Sequence, residues 1–279
     1  MVAAVGFFSL MDALLKTLTA HYPALQVAAL RGWAALPLVA LYALWRGEVP
    51  RLLKVRWPLH LLRGGLNVVM LALFAFAIRE LALAEAYTLF FIAPLLITAL
   101  STVVLREKVR PAHWVAIVLG MVGVLVALRP NQEAFFTLGA LAVLAAATCY
   151  AVSAITGRML TRTDSSASLV FWTTTLLALG AGALAWPQWV GVAQAHWPLV
   201  AGLAVTGFAG QLAITEAFRH GQASVVAPFE YTALAWGMGL DWVLWQAVPG
   251  YSTLLGGAII IGSGLYLVRQ ERTQAVVPP

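Results

Sequence analysis

The chain alternates long apolar stretches with short polar joints, and the joints carry most of its prolines and charged residues. Each stretch runs near 20 residues, the helix length that crosses a hydrocarbon core of about 30 Å at 1.5 Å per residue. Proline costs least at a joint, where a missing N–H breaks no helical bond. The pattern predicts ten spans, at 2–20, 24–45, 57–78, 82–104, 111–128, 136–160, 167–186, 198–218, 222–245 and 250–268.

Composition agrees with a membrane protein. Of 279 residues, 62% are hydrophobic and 10% are charged, against roughly 25% charged in a soluble domain. The first stretch is not a secretory signal, because Asp12 and Lys16 interrupt it and no basic region precedes it. The single cysteine, Cys149, excludes a disulfide framework and a Cys-built metal site. We expect an all-α polytopic membrane protein without a metal or cofactor.

The Lys and Arg residues predict the orientation of the spans. Twelve of the 17 lie on alternate joints and at the C-terminal end, and cytoplasmic loops carry such an excess. Both termini are therefore expected in the cytoplasm, with 106–110 inside and the loop at 129–133 outside. The net charge of +6 is spread over these joints, so no nucleic-acid surface is predicted. The twelve are Arg46, Arg51, Lys54, Arg56, Arg106, Lys108, Arg110, Arg158, Arg162, Arg219, Arg269 and Arg272.

The two halves of the chain resemble each other. Residues 77–109 can be laid on 217–248, so that Ala77 meets Ala217 and Leu100 meets Leu240. Five helices separate the halves, and an odd number inverts the second one. We expect two inverted five-helix repeats, 1–130 and 131–279, with a substrate site near the midplane where they meet.

Two strings carry a family resemblance. LALAEAYTLFFIAPLL followed by LREKV, and ASVVAPFEYTALAWGMGLDWVL followed by GGAIIIGSGLYLV, resemble the two EamA repeats of the drug/metabolite transporter superfamily. The resemblance implies a ten-helix carrier, and it is nearest to bacterial aromatic amino-acid and methyl viologen exporters and to S-adenosylmethionine carriers. One position departs. Where the family has Gly-Glu after the ninth helix, this chain has Gln246-Ala247, while the first-repeat Glu107 remains.

The expected function is export of small metabolites by alternating access across a bacterial inner membrane. The first substrates to consider are aromatic and other neutral amino acids, followed by cationic drugs such as methyl viologen. S-adenosylmethionine or another nucleoside-bearing metabolite is the alternative. An intramembrane enzyme is disfavoured, because the sequence has no HExxH, no GxSxG and no Cys/His ligand cluster. A membrane scaffold without transport is the remaining class. The expected partners are a small-molecule substrate and the bilayer, and we expect a monomer.

Charges inside spans are costly and normally face the bundle interior. Asp12 and Lys16 stand four residues apart and either neutralise each other or meet a substrate amine and carboxylate. Arg31 competes for Asp12. Arg63 either snorkels to the membrane surface or has a functional role, and Asn67 either joins two helices or contacts substrate.

Glu230 is the leading candidate for a functional buried carboxylate, with a structural, paired or protonated role as the alternative. Pro94 and Pro228 are expected to kink the fourth and ninth spans, which then form cavity walls rather than lipid-facing rods. Deep polar and aromatic residues complete the candidate binding set, because aromatic faces hold either an aromatic side chain or a cation. They are Trp33, Tyr87, Phe91, Tyr150, Trp172, Gln211 and Tyr231.

Overall fold

The computed structural model describes residues 1–77, 80–81, 83–129, 137–246 and 250–275. This part of the chain is all-helical and contains no strand. Twelve α-helices are numbered here in chain order. They are α1 Val2–Thr19, α2 Ala24–Trp45, α3 Trp57–Ala77, α4 Leu83–Phe90, α5 Ala93–Val104, α6 Pro111–Leu128, α7 Leu138–Leu160, α8 Ser166–Ala185, α9 Trp197–His220, α10 Ala223–Val226, α11 Thr232–Trp245 and α12 Tyr251–Ala275.

The predicted all-α membrane fold is confirmed. Within the described ranges, nine stretches are long and apolar enough to cross a membrane, and the fourth predicted span is one of them although it is divided into α4 and α5. The ninth predicted stretch, 222–245, is divided into α10, a 3₁₀ segment at Ala227–Tyr231 and α11. The last helix was predicted to end at 268 and instead continues to Ala275.

The contacts between helices can be compared with the predicted division of the chain into two halves. Exchanging the halves turns α1 into α7, α2 into α8, α3 into α9, the α4–α5 pair into α10–α11, and α6 into α12. The pairs α2–α8 and α6–α12 are in contact, and each maps onto itself. The contact of α3 with α7 maps onto that of α9 with α1, and α5 with α7 maps onto α11 with α1. The predicted boundary between 130 and 131 lies outside the described residues.

Backbone details repeat at the same offset along the chain. Helices α4 and α10 begin at Leu83 and Ala223, which are 140 residues apart. Arg106 and Gln246, also 140 apart, both adopt left-handed backbone with φ of 54° and 53°. Non-glycine residues rarely adopt positive φ, and Arg129, with φ of 44°, is the one other non-glycine residue in the described ranges that does so. The offset of 140 residues is the one at which residues 77–109 are laid on 217–248 in the sequence.

Glycine allows α6 and α12 to pack closely. A Cβ on Gly123 would lie 2.9 Å from the carbonyl oxygen of Gly256 and 2.7 Å from a side-chain carbon of Ile260. Such distances are too short for real side chains, so the contact requires glycine, as it does at small-residue helix crossings in membranes. The α6–α12 pair therefore forms a tight unit beside the rest of the bundle.

Polar contacts link the halves at both ends of the bundle. At the charge-rich face, defined by the loops at 46–56, 105–110, 161–165 and 219–222, His60 Nε2 lies 2.8 Å from Asp164 Oδ2. At the opposite face, Tyr22 Oη and His196 Nδ1 are 2.8 Å apart, and Gln26 Oε1 accepts a hydrogen bond from the Val190 N–H at 2.9 Å. These bonds join α3 to the α7–α8 loop and the α1–α2 region to the α8–α9 loop.

Candidate functional site

A cavity of about 350 Å³ lies at the centre of the bundle. Its wall takes residues from both halves, namely from α1 to α5 in the first half and from α7, α8, α9, α11 and the Ala227–Tyr231 segment in the second. The break between α4 and α5 lies beside it, because Phe91 and Pro94 are both lining residues. A central cavity bordered by interrupted helices is the arrangement in which transporters hold their substrates.

Two acidic and two basic side chains line this cavity. Asp12 from α1 interacts electrostatically with Arg31 from α2. Glu230 and Arg63 lie on other parts of the wall. Asp12 is solvent-accessible because it faces the cavity, although it stands deep in the bundle. The cavity thus offers a site for either sign of charge.

Lys16 does not line the cavity, contrary to its place in the candidate set. Its Nζ forms an ion pair with Asp241 of α11 at 3.2 Å, and 59% of its side chain is exposed. Helical spacing allows Asp12 and Lys16 to pair, but the cavity places Arg31 beside Asp12 instead. The arrangement therefore follows the competing interpretation of the sequence.

Glu230 is held by Tyr150. The Tyr150 hydroxyl donates to Glu230 Oε1 at 3.0 Å. Glu230 belongs to the 3₁₀ segment that begins at Ala227 with Pro228 in its first turn, and proline is tolerated there because its missing N–H has no helical partner. The segment turns the carboxylate towards α7 and the cavity.

Amides supply two neutral polar groups. The Ser153 hydroxyl donates to Asn67 Oδ1 at 2.7 Å, which joins α7 to α3 beside the cavity. Gln211 of α9 also lines the wall, and its Nε2 is buried without a hydrogen-bond partner among the described residues. Asn67 therefore has both the interhelical contact and the cavity position that the sequence left as alternatives.

Aromatic rings cover one side of the cavity. Tyr87, Phe90 and Phe91 line it. The Phe90 ring centroid lies 5.6 Å from that of Tyr150 and 5.6 Å from that of Phe74. These are ordinary aromatic contact distances, so ring packing is continuous from Phe74 of α3 across Phe90 of α4 to Tyr150 of α7.

Three candidate aromatics lie elsewhere. Trp33 is 54% exposed on the outside of the bundle, with its Nε1 donating to the Ala178 carbonyl at 3.0 Å. Trp172 Nε1 donates to the Leu52 carbonyl at 2.7 Å near the charge-rich face. Tyr231 is fully buried with Val124 and Ile260, behind Phe91, whose ring is 5.9 Å away. Each was predicted from depth along a span, which does not say which way a side chain points.

Some lining residues were not among the candidates. Phe8, one turn before Asp12 on α1, and Ser153 both line the cavity, and Phe8 has the helical spacing that could have identified it. Arg31 and Arg63, which the sequence left open, line it as well. No group of three His, Cys, Asp or Glu side chains able to hold a metal ion occurs within the described ranges.

Comparison with known proteins identifies the family. Residues 1–129 and 137–269 each match the family described as EamA-like transporter family. The chain belongs to this family. The transporter is 28% identical over 273 residues to the pseudopaline exporter of Pseudomonas aeruginosa, covering 97% of this chain and 95% of that protein.

Other relatives are also transporters. The riboflavin transporter of Vibrio cholerae is 31% identical over 214 residues, covering 76% of this chain and 72% of that protein. The S-adenosylmethionine uptake transporter of Rickettsia prowazekii is 23% identical over 265 residues, covering 95% of this chain and 89% of that protein. A solved crystal structure matches the fold with a TM-score of 0.84 at 21% identity, covering 98% of this chain and 97% of that one. The protein is a multi-pass membrane transporter of small molecules.

Proposed function

We propose that this transporter exports amino acids, aromatic and other neutral ones first, by alternating access of the central cavity. The observation that carries the proposal is the presence of both charge signs in one aromatic-walled cavity, with Asp12 and Glu230 for an amine and Arg31 and Arg63 for a carboxylate. Buried charges in a membrane protein are costly and mark substrate paths. A zwitterion complements such a wall without adding net charge.

Cavity size favours a small substrate. Ligand pockets commonly measure about 300–1,000 Å³, and the volume of about 350 Å³ here lies at the lower end. Phe90, Phe91 and Tyr87 provide flat apolar contact for an aromatic side chain. Export, both termini in the cytoplasm and an inner-membrane location belong to the same proposal, and the likeness to an exporter over nearly the whole chain supports the direction.

S-adenosylmethionine or another nucleoside-bearing metabolite is the second candidate. The whole-chain similarity to an uptake transporter for this compound favours it. Its methionine part has the same amine and carboxylate as an amino acid, and the amides of Asn67 and Gln211 could bind a base or ribose. The cavity would then have to widen in another state.

An efflux screen tests the proposal. The gene is expressed in cells that lack their own exporters. Labelled amino acids, S-adenosylmethionine and cationic dyes are loaded, and the rate of appearance outside is compared with a vector control. Faster efflux of unaltered phenylalanine or tryptophan is the expected result. Efflux of only the nucleoside compound or the dyes contradicts the amino-acid assignment. A chemically altered product would show that the protein does more than transport its substrate.

A further inference from the structure

The two arginines of the cavity differ in their surroundings. Arg31 has a carboxylate, Asp12, as its electrostatic neighbour. Within the described residues, the groups that act electrostatically on Arg63 are the phenol of Tyr150 and the imidazole of His60, and neither is a carboxylate. Two of the three Arg63 nitrogens, Nε and Nη1, are buried and have no hydrogen-bond partner there. Arg63 is thus a cation that lines the cavity and has no carboxylate partner among the described residues.

Backbone packing holds the Arg63 guanidinium in place. A Cβ built on Gly157 of α7 would lie 3.1 Å from Arg63 Cζ and 3.3 Å from its Nε and Nη1. The guanidinium therefore packs closely against α7 at Gly157, where a larger residue would require it to shift by a few tenths of an ångström. One turn away, the hydrogen bond from Ser153 to Asn67 fixes α7 to α3. Arg63 is consequently preorganised rather than free to reach the membrane surface.

An unpaired buried cation has a large free-energy cost, and a transporter keeps such a group only where it is used. A carboxylate matches the planar N–H pattern of guanidinium better than other common anions of amino-acid size. We propose that Arg63 binds the carboxylate of the transported substrate. This deepens the proposed function and rests on it, since the anion is assigned as part of an amino acid.

The positions along α7 orient the substrate. Tyr150, Ser153 and Gly157 lie on one face of this helix at spacings of three and four. The Arg63 guanidinium packs against Gly157 at one end of this row, and Tyr150 binds Glu230 at the other end. A substrate lying along this row has its carboxylate at Arg63 and its amine towards Glu230.

Three ligands that share one ring test the assignment. Phenylalanine has both charged groups, 3-phenylpropanoate lacks the amine and phenethylamine lacks the carboxylate. Binding to the purified full-length transporter in nanodiscs is measured by dissociation constant and by the shift in thermal unfolding midpoint, because a ligand that binds the folded state raises that midpoint. Wild type is expected to bind both carboxylate ligands, with phenylalanine the tighter.

Arg63→Gln removes the cation and keeps polar bulk. We expect its affinity for phenylalanine and phenylpropanoate to fall by about 10- to 100-fold, the usual effect of losing a charged hydrogen bond, with phenethylamine unchanged. Arg63→Lys keeps the charge but loses the planar fork, so it should retain part of the affinity. Gly157→Ala forces the guanidinium to shift and should weaken only the carboxylate ligands. Arg162→Gln, on an exposed loop, is the matched control and should bind as wild type.

Stability separates a binding role from a structural one. Without ligand, Arg63→Gln should unfold at the wild-type temperature or above, since it removes an unpaired buried charge. A large loss of stability, or equal loss of all three ligands, overturns the assignment. Wild-type binding of phenylalanine that persists in Arg63→Gln overturns the Arg63 assignment alone. If none of the three ligands binds wild type, both the assignment and the amino-acid proposal fail.

Discussion

Two side-chain hydrogen bonds shape the polar side of the cavity, and the one between Tyr150 and Glu230 is the more testable. The Tyr150 ring packs on Phe90 while its hydroxyl donates to the carboxylate at 3.0 Å. Removing the hydroxyl therefore leaves the aromatic contact in place. The effect of such a change can be attributed to the hydrogen bond.

Tyr150→Phe is expected to lower the free energy of unfolding by about 1–3 kcal/mol, because it leaves a buried carboxylate oxygen without its donor. Glu230→Gln keeps an acceptor for the tyrosine and should cost less. A double-mutant cycle of Tyr150→Phe with Glu230→Ala, which removes the acceptor, measures the coupling between the two positions in detergent-solubilised protein. Additive effects of the two changes would show that the hydrogen bond does not contribute to stability.

Sequence reasoning at this scale finds residue types better than partners. The Asp12 carboxylate is correctly expected to need a cation, and helical spacing offers Lys16. The tertiary fold brings α2 close enough for Arg31 to interact with it, while Lys16 reaches Asp241 at 3.2 Å. Spacing along one helix does not determine which other helix faces it, and Tyr231, buried behind Phe91, illustrates the same limit.

The short helix α10 depends on a carboxylate from the other half. Glu107 accepts hydrogen bonds from the backbone N–H groups of Ala223 at 3.2 Å and Ser224 at 3.3 Å, as a capping side chain does. Arg158 Nε lies 3.5 Å from the same carboxylate, and Arg158 Nη1 donates to the carbonyls of Phe218 and Arg219. At the equivalent position in the second half the sequence has Ala247, so the capping carboxylate is encoded on one side only.

Glu107→Ala should destabilise the charge-rich end of the bundle by about 1–3 kcal/mol, since it uncaps α10 and leaves Arg158 without its acid. Amide exchange at 223–226 should accelerate. Glu107→Gln keeps an acceptor and should lie between Ala and wild type. Unchanged exchange in Glu107→Ala would mean that the capping bonds do not hold this end closed.

The positions of most membrane-length helices were predictable because membrane thickness sets their length. Hydropathy alone, however, treats the ninth stretch as one helix, whereas Pro228 and a 3₁₀ turn divide it. In the fourth stretch the interruption falls at 91–92, just before Pro94. Apolar composition alone therefore does not predict where a helix is interrupted beside the cavity.

At the scale of the molecule, the repeated contacts and the 140-residue offset relate the two halves, while the charges of the loops predict how the bundle sits in the membrane. The charge-rich face is expected in the cytoplasm. In a Cys149→Ala background, a cysteine at Gln194 should react with an impermeant thiol reagent in intact cells. A cysteine at Lys54 should react only after permeabilisation. Both positions are exposed, and the reverse labelling pattern would reverse the orientation.

The central claim, that the cavity carries an amine- and carboxylate-bearing substrate, is tested most directly by counterflow. Proteoliposomes are loaded with unlabelled phenylalanine, and accumulation of external labelled phenylalanine is followed. Wild type and the exposed aromatic control Trp186→Ala should accumulate label equally. Phe91→Ala should slow accumulation by about tenfold or more, and Glu230→Gln should abolish it while remaining folded. Accumulation by Glu230→Gln at the wild-type rate would show that the carboxylate is structural and contradict the account.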